Sequence, residues 1–330
     1  MSIQTDRLAS YKLFARALKQ KGYVVDIDES YPMTVAYTSP KGATWKTKAA
    51  HITYPFNTEH VQNIARDKNK AYDLARSAGF SIPYTFYVTD STTDDMLLDV
   101  LHTFKKLIVK PTDLSQSKGL TIDIDSLAAL KDAIGYAKSF SNSVLVQQQV
   151  IGEEIRFTVI NGKVEAALLR RTARVIGDGH SPLAELINRE NEARKLLHFD
   201  YITYPQLDET IVDSSLLNSS NIPDKGKVVE LSHSTMVKGG CSIYDILLQV
   251  NKSYITSVEK LVAKLGAGFI VVDVFCQSYS EPARPDNHWF IEFNTTPALR
   301  LYYACRDGKQ FDIVTHLAAA IDHWLHKPTD

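Results

Sequence analysis

Two residues near the C-terminal end of this sequence offer metal chemistry by type and spacing. Glu292 and Asn294 lie two apart in the stretch WFIEFNTTPALR (289–300), and on a strand residues i and i+2 share a face. Asp273 sits about 20 residues upstream, in the β-branched run GAGFIVVDVF (266–275). Two carboxylates and an amide on neighbouring strands are hard oxygen ligands, the kind that Mg²⁺ takes. The same residues could instead cap the turns at their strand ends, and spacing alone leaves both readings open. Lys110 ends the apolar strand KKLIVKP (105–111). An ammonium is costly to hold there without a partner, so it either turns to solvent in a surface turn or meets an anion such as phosphate. The polar loop DLSQSKGLTIDI (113–124) follows, with Gly119 as its one glycine. Small residues let backbone N–H groups approach anion oxygens, although a plain hairpin turn has the same composition.

Several elements must position these groups. Residues 6–20 carry a helical apolar pattern stopped at Gly22, and the strand-like YVVDI comes next. MTVAYTSPKGATWKT predicts a hairpin turning at Pro40–Gly42, so the first 60 or so residues make a small α/β unit. A helix is predicted from Lys68 to Ser77, with Gly79 as its stop and a strand after Pro83. Beyond the polar loop come a second strand and a helix capped by Asp125 or Ser126. Residues 143–171 give a strand, a break at Gly152 and a hairpin turning at Asn161–Gly162. Residues 177–226 are loop-rich with one helix around LAELINREN. A helix over Ser253–Leu265, the two strands of Asp273 and Glu292, and a last helix near 311–326 complete the chain. Strands and helices mixed in several blocks indicate an α+β enzyme of several lobes rather than one doubly wound sheet.

The bulk numbers narrow the function. The 330 residues hold 37 Lys and Arg against 38 Asp and Glu, with no dense basic block, so neither nucleic acid nor an anionic membrane is expected as a main partner. No apolar run approaches the roughly 20 residues of a membrane span, and the first residues lack the apolar core of a signal peptide. Cys241, Cys276 and Cys305 are widely spaced and odd in number, which suits reduced thiols in a cytoplasmic protein. Small-molecule chemistry is the expectation.

In their order along the chain these pieces resemble an ATP-grasp ligase, with matches from about residue 67 to 312. The patterns are most similar to the ATP-grasp parts of cyanophycin synthetase and of the bifunctional glutathione enzyme. The carrying residues are Arg170, ARVIGDG (173–179), AELIN (184–188), the Gly239–Gly240 pair with Asp245, and IEFNTTPALR with Gly308. The resemblance implies an α+β ATP-grasp fold that holds ATP between two lobes. The expected divisions are an N-terminal α/β unit (1–66), a small lobe (67–152) and a large lobe (153–330).

The resemblance also implies roles. Lys68, rather than its rival Lys70, and Lys110 would meet ATP phosphates, under a lid that includes Ser115, Gln116, Ser117, Lys118 and Gly119. Gln147, Gln148 and Val150 would border adenine, and Glu154 would accept the ribose hydroxyls. Arg156 and Arg170 would reach the transferring phosphoryl, while Arg171 points the other way as a solvated charge. Asp273, Glu292 and Asn294 would hold two Mg²⁺ ions, with Mn²⁺ as an alternative. The GDG run (177–179), Ser234, Gly239, Gly240, Arg300 and Tyr302 lie where relatives hold the acyl donor and amine. Relatives read Pro-Gly where this chain has Pro297-Ala298, and several carry a His near Tyr302 or Tyr303, so substrate identity is where this sequence departs. The implied activity is amide-bond formation between a carboxylate and an amine through an acyl phosphate. A small-molecule kinase and a non-catalytic nucleotide module are the alternatives, and a homodimer is compatible with each.

Overall fold

The computed structural model describes residues 9–112, 114, 118–197, 199, 202–306 and 310–327. The expected site residues Ser115, Gln116, Ser117 and Gly308 lie outside them. The chain opens with α1 (Ala9–Gln20), β1 (Val24–Asp28), β2 (Thr34–Thr38), β3 (Thr44–Lys48), α2 (Glu59–Arg66) and α3 (Lys68–Ser77). A second block holds β4 (Thr85–Tyr87), α4 (Asp94–Phe104), β5 (Leu107–Pro111), β6 (Thr121–Ile124), α5 (Leu127–Lys138) and β7 (Val144–Gln148). Next come β8 (Glu153–Ile160), β9 (Lys163–Arg171), β10 (Arg174–Ile176), α6 (Leu183–Lys195), α7 (Ser214–Leu217), β11 (Val228–Glu230) and β12 (Ser242–Asp245). The chain closes with α8 (Lys252–Leu265), β13 (Phe269–Cys276), β14 (His288–Asn294) and α9 (Ile313–Leu325). Short 3-10 turns stand at Val237–Gly239 and Leu299–Tyr303.

Every sheet is antiparallel. The first is the meander β1-β2-β3, the second runs β4-β7-β5-β6, and the largest runs β12-β9-β8-β13-β14, with β10-β11 as a separate ribbon. Alternation divides the largest sheet into two unlike faces. Ile155, Phe157, Val272, Val274 and Phe290 turn to one side and pack with α3 and α8. Ala166, Leu168, Val271 and Ile243 turn to the other, and on that side charged residues occupy the end nearer the second sheet.

The meander does not build its core alone. Phe14 of α1 meets Tyr37 and Trp45 edge-on at 5.8 Å, and Tyr54 packs edge-on against Phe269 of the largest sheet at 4.6 Å. Leu317 and Ile321 of α9 belong to the same buried cluster. Tyr23 donates to Asp322 at 2.6 Å, and Ser39 meets His326 at 3.1 Å. The expected division at 67 falls between α2 and α3, and apolar residues of both join the core of the largest sheet. The second sheet has its own core, built from residues such as Leu97, Leu107, Leu130 and Val146.

Asn57 fastens the segment before α2 to the start of β13. Its amide nitrogen donates to the Phe269 carbonyl at 2.6 Å, and its oxygen accepts from Gly268 and Phe269 N–H groups at 3.0 and 3.1 Å. Asn57→Ala strands these backbone groups in a buried site, at a cost of about 3 kcal/mol. Urea unfolding should show a lower midpoint with an unchanged slope; an unmoved midpoint refutes this role.

Candidate active site

The charged end of the largest sheet is a two-row lattice. Glu292, Asp273 and Arg156 lie side by side across β14, β13 and β8, and one row further Phe275, Glu154 and Arg170 lie across β13, β8 and β9. Adjacent strands stand about 4.8 Å apart, so opposite charges in neighbouring positions reach each other. Arg156 donates to both oxygens of Asp273, at 2.8 and 2.6 Å, and both residues are buried. Burial opposes the guanidinium charge, but Asp273 beside it prevails and raises the arginine's pKa. Arg170 donates to Glu154 at 2.6 Å and to the Thr235 carbonyl. Burial pushes the Glu154 carboxyl up, with Arg170 pulling against it.

Glu292 reaches this face through a β-bulge. Phe290 pairs with Val274 and Glu292 with Asp273, which leaves Ile291 as the extra residue. Phe290 is fully buried on the helix side, and strict alternation would send Glu292 there as well. The extra residue re-aims it. The side chain opens onto the cleft although protein surrounds it. Burial, then the like charge of Asp273, raises its carboxyl pKa.

The facing wall comes from α3 and the second sheet. Asp67 caps α3, accepting from the Asn69 and Lys70 N–H groups, and so sets Lys68 at the first helical position. A cation there opposes the helix dipole, a placement with a local cost. Lys68 donates to the Thr112 carbonyl at 2.8 Å. Lys110 donates to Gln147 Oε1 at 3.0 Å, and the Gln147 amide nitrogen in turn donates to Thr85 at 2.7 Å and Tyr72 at 3.3 Å. Burial, then the like charge of Lys68, pushes Lys110 down to about 8, while Glu292 pulls the other way. Two ammonium groups packed this closely and facing carboxylates make a site for a polyanion that can also recruit a cation.

The space between these walls is about 1720 Å³. Lys68, Lys110, Gln147, Gln148, Val150, Glu154, Arg156, Arg170, Asp273, Glu292, Asn294 and Arg300 all line it. Asp273, Glu292 and Asn294 suit Mg²⁺ by donor type, since that ion is usually held by one or two carboxylates plus phosphate oxygens. Asn294 Oδ1 accepts from Thr296 N–H at 2.9 Å, which leaves it one further lone pair. Among the described residues no group of three His, Cys, Asp or Glu could hold an ion, so an ion at Asp273, Glu292 and Asn294 would complete its shell with water or with oxygens of a bound ligand.

No protein-family model matches the chain. Its curated relatives include cyanophycin synthetases and bifunctional glutathione biosynthesis proteins. Cyanophycin synthetase of Crocosphaera subtropica is 27% identical over 272 residues, covering 80% of this chain and 31% of that protein. The chain thus spans about a third of that relative's length. Bifunctional glutathione synthetase from Pasteurella multocida is similar in structure with a TM-score of 0.67, at 20% identity, over 97% of this chain and 45% of that one. The ATP-grasp ligase PsnB, solved with a minimal precursor, Mg and ADP, gives 0.52 at 11% identity over 96% and 95%. The fold is ATP-grasp.

Some expected residues of this ATP-grasp chain lie off its cleft. Tyr302 is fully buried, shares a hydrogen bond with Thr158, and has its hydroxyl pushed up to about 12 by burial; it packs in the apolar part of the same sheet face and does not line the cleft. Ser234, Gly239 and Gly240 shape their own loop. A Cβ on Gly239 would collide with the Ser234 side chain, and Ser234 Oγ accepts from Met236 N–H at 3.2 Å. In the GDG run, Asp178 accepts from His180 and Ser181 N–H groups ahead of α6. Gly119 packs back on Pro111, while Lys118 lines the cleft. The Gln147 side chain is taken up in positioning Lys110. Lys70 pairs with Asp67 at 3.4 Å. Arg171 does point away from Arg170, but it pairs with Glu153 at 2.6 Å and sits 5.5 Å over Tyr244 rather than standing solvated. Sequence reasoning missed Lys46, Lys48 and Thr235 on the cleft wall; the alternation in TWKTK was the available signal for the two lysines.

Two outcomes follow from this electrostatics. Arg156→Met leaves Asp273 buried and unpaired and should destabilise the fold by about 3–5 kcal/mol in urea. Arg156→Met with Asp273→Asn should recover part of that loss; a strictly additive double variant counts against a direct pair. Lys110 titrates near 8 against an ordinary 10.5, so between those values the unfolded chain binds more protons and folding stability rises with pH. A nucleotide phosphate restores the charge. Mg–ADP binding at pH 9 should therefore take up a proton and weaken as pH rises above 8, read by calorimetry in buffers of different ionisation heat. Lys110→Arg should abolish the uptake, and equal uptake in both proteins rules Lys110 out as its source.

Proposed function

We propose that this chain is an ATP-dependent carboxylate–amine ligase. The observation that carries the reading is the Lys68–Lys110 pair facing Asp273, Glu292 and Asn294 across one cleft of an ATP-grasp fold. The relation to cyanophycin synthetase supports bond formation. Lys68, Lys110 and Lys118 bind the phosphates, Gln148 and Val150 border the base, and Glu154 faces the ribose. Asp273, Glu292 and Asn294 would hold Mg²⁺, which neutralises charge on the phosphate oxygens when bound.

A carboxylate oxygen of the donor attacks the γ-phosphorus, the P–O bond to ADP breaks, and an acyl phosphate results. The amine nitrogen then attacks the acyl carbon, the C–N bond forms, phosphate leaves, and the amine proton passes to solvent. Arg170, oriented by Glu154 and the Thr235 carbonyl, is placed to stabilise charge on the moving phosphoryl group, and Arg156 holds Asp273 in position. No protein nucleophile is required. The three cysteines are buried, and burial pushes the thiols of Cys241 and Cys276 up to about 12, so they are not thiolates at neutral pH. Two Mg²⁺ ions replaceable by Mn²⁺, small-molecule substrates and a cytoplasmic setting belong to this reading, and a homodimer is compatible with it.

The test is ADP and phosphate release across a matrix of amino-acid and short-peptide donors with amines. Release should require both substrates, and Glu292→Gln should lower kcat at least about a hundredfold. A phosphorylated product found by mass spectrometry would indicate a kinase. Mg–ADP binding without turnover across the matrix would indicate a nucleotide-binding module.

A further inference from the structure

We infer that the donor carries negative charge beyond its reacting carboxylate, as an acidic peptide does, and that Lys46 and Lys48 of β3 together with Arg300 hold that charge. The inference rests on the ligase reading and names the substrate class of the same cleft.

Three observations converge. The first is room. A cleft of about 1720 Å³ exceeds the roughly 300–1,000 Å³ of an ordinary ligand pocket, so a nucleotide leaves space for a donor larger than one amino acid. The second is charge. Asp273, Glu154 and Glu230 are matched by Arg156, Arg170 and Arg174 at 2.6 to 3.0 Å. Lys46 and Lys48 also line the cleft; Asp28 lies within electrostatic reach of Lys46, but among the described residues neither lysine is in a salt bridge. The chain as a whole is close to neutral, so this excess is local.

The third observation is placement. Trp45 and Thr47 turn into the core while Lys46 and Lys48 are exposed, which sets the two ammonium stems about 6.8 Å apart along the strand. Carboxylates at alternate positions of an extended peptide share that spacing. Among the described residues β3 pairs only with β2. The bonds Ala49 N–H to Met33 and Ser39 N–H to Ala43 fix the alternation, so the backbone groups of Lys46 and Lys48 point away from β2 toward the open edge. Thr47 lines the cleft as well although its side chain is taken by Thr53 N–H at 2.7 Å, which puts the edge of the strand on the wall. Lysines often serve simply to blunt an edge strand. Here they share a cleft with Arg300, whose turn is tied to α1 by the Leu299 N–H bond to Ser10 at 3.1 Å.

The experiment compares triglutamate with trialanine as donors for the full chain, with an amine panel, by phosphate release. Triglutamate should have the higher kcat/KM. Lys46→Glu with Lys48→Glu should lower the acidic-over-neutral ratio roughly tenfold, mainly through KM, while the Kd for Mg–ADP stays put and reports an intact fold. Raising the salt should narrow the wild-type ratio. Equal kcat/KM for both peptides, or an unchanged ratio in the double variant, overturns the inference. If no donor and amine release phosphate, the ligase reading fails instead. Calorimetric titration of the two peptides into the Mg–ADP complex then decides: selective triglutamate binding lost in the double variant supports the inference, and equal binding overturns it.

Discussion

An arginine in a protein does not shed its proton, and Arg156 is buried in the middle of the largest sheet. The sheet must therefore keep an acid beside it, and Asp273 meets that demand with both oxygens. A buried pair of this kind adds little stability over an apolar replacement, whereas losing one partner is expensive. What the pair provides is fixed geometry: the carboxylate cannot rotate, so its remaining lone pairs face the cleft in one orientation. The rest of the lattice is arranged around that constraint. Glu292 stands next to Asp273, and Glu154 with Arg170 occupies the adjacent row.

Much of this was legible in the sequence where the signals were local. Asp67 and Gly79 bound α3 as the capping rules require. Asn161 and Gly162 both take positive φ in the β8–β9 turn, as an Asn-Gly hairpin predicts. Lys68, Lys110, Glu154, Asp273 and Glu292 line the cleft, and strand alternation and family order both point to them. Signals that depend on distant partners were not legible. The three-residue strands β10 and β11 form only because residues 52 or more apart meet. Nothing at Ile291 marks a bulge, yet that residue decides which way Glu292 points. Ser234, Gly239 and Gly240 lay in the right stretch of chain, but the close packing of a loop on itself explains their types.

The two walls of the cleft are joined at one corner. One crossing passes Ser81, which bridges to Trp289 and whose carbonyl accepts from Phe290 N–H at 2.9 Å. The other passes Gly152, where a Cβ would collide with the Cys276 carbonyl; Cys276 pairs with His288, next to Trp289. Both crossings therefore stand at the same end of the β13–β14 pair, with the cleft opening away from it. Such a join lets a few backbone dihedrals absorb a change in cleft width while each core stays intact.

The buried cluster shared by α1, the meander and α9 has a consequence for assembly of the molecule. The Tyr23–Asp322 bond spans 299 positions, and closing so long a loop carries an entropic charge that only many contacts made together can offset. Until α9 is in place, Phe14 and Leu18 lack their Leu317 and Ile321 neighbours. The leading sheet is thus synthesised before α9 and completed only once α9 has docked. In the interval it waits as a half-cored meander, with an edge available to whatever strand meets it first.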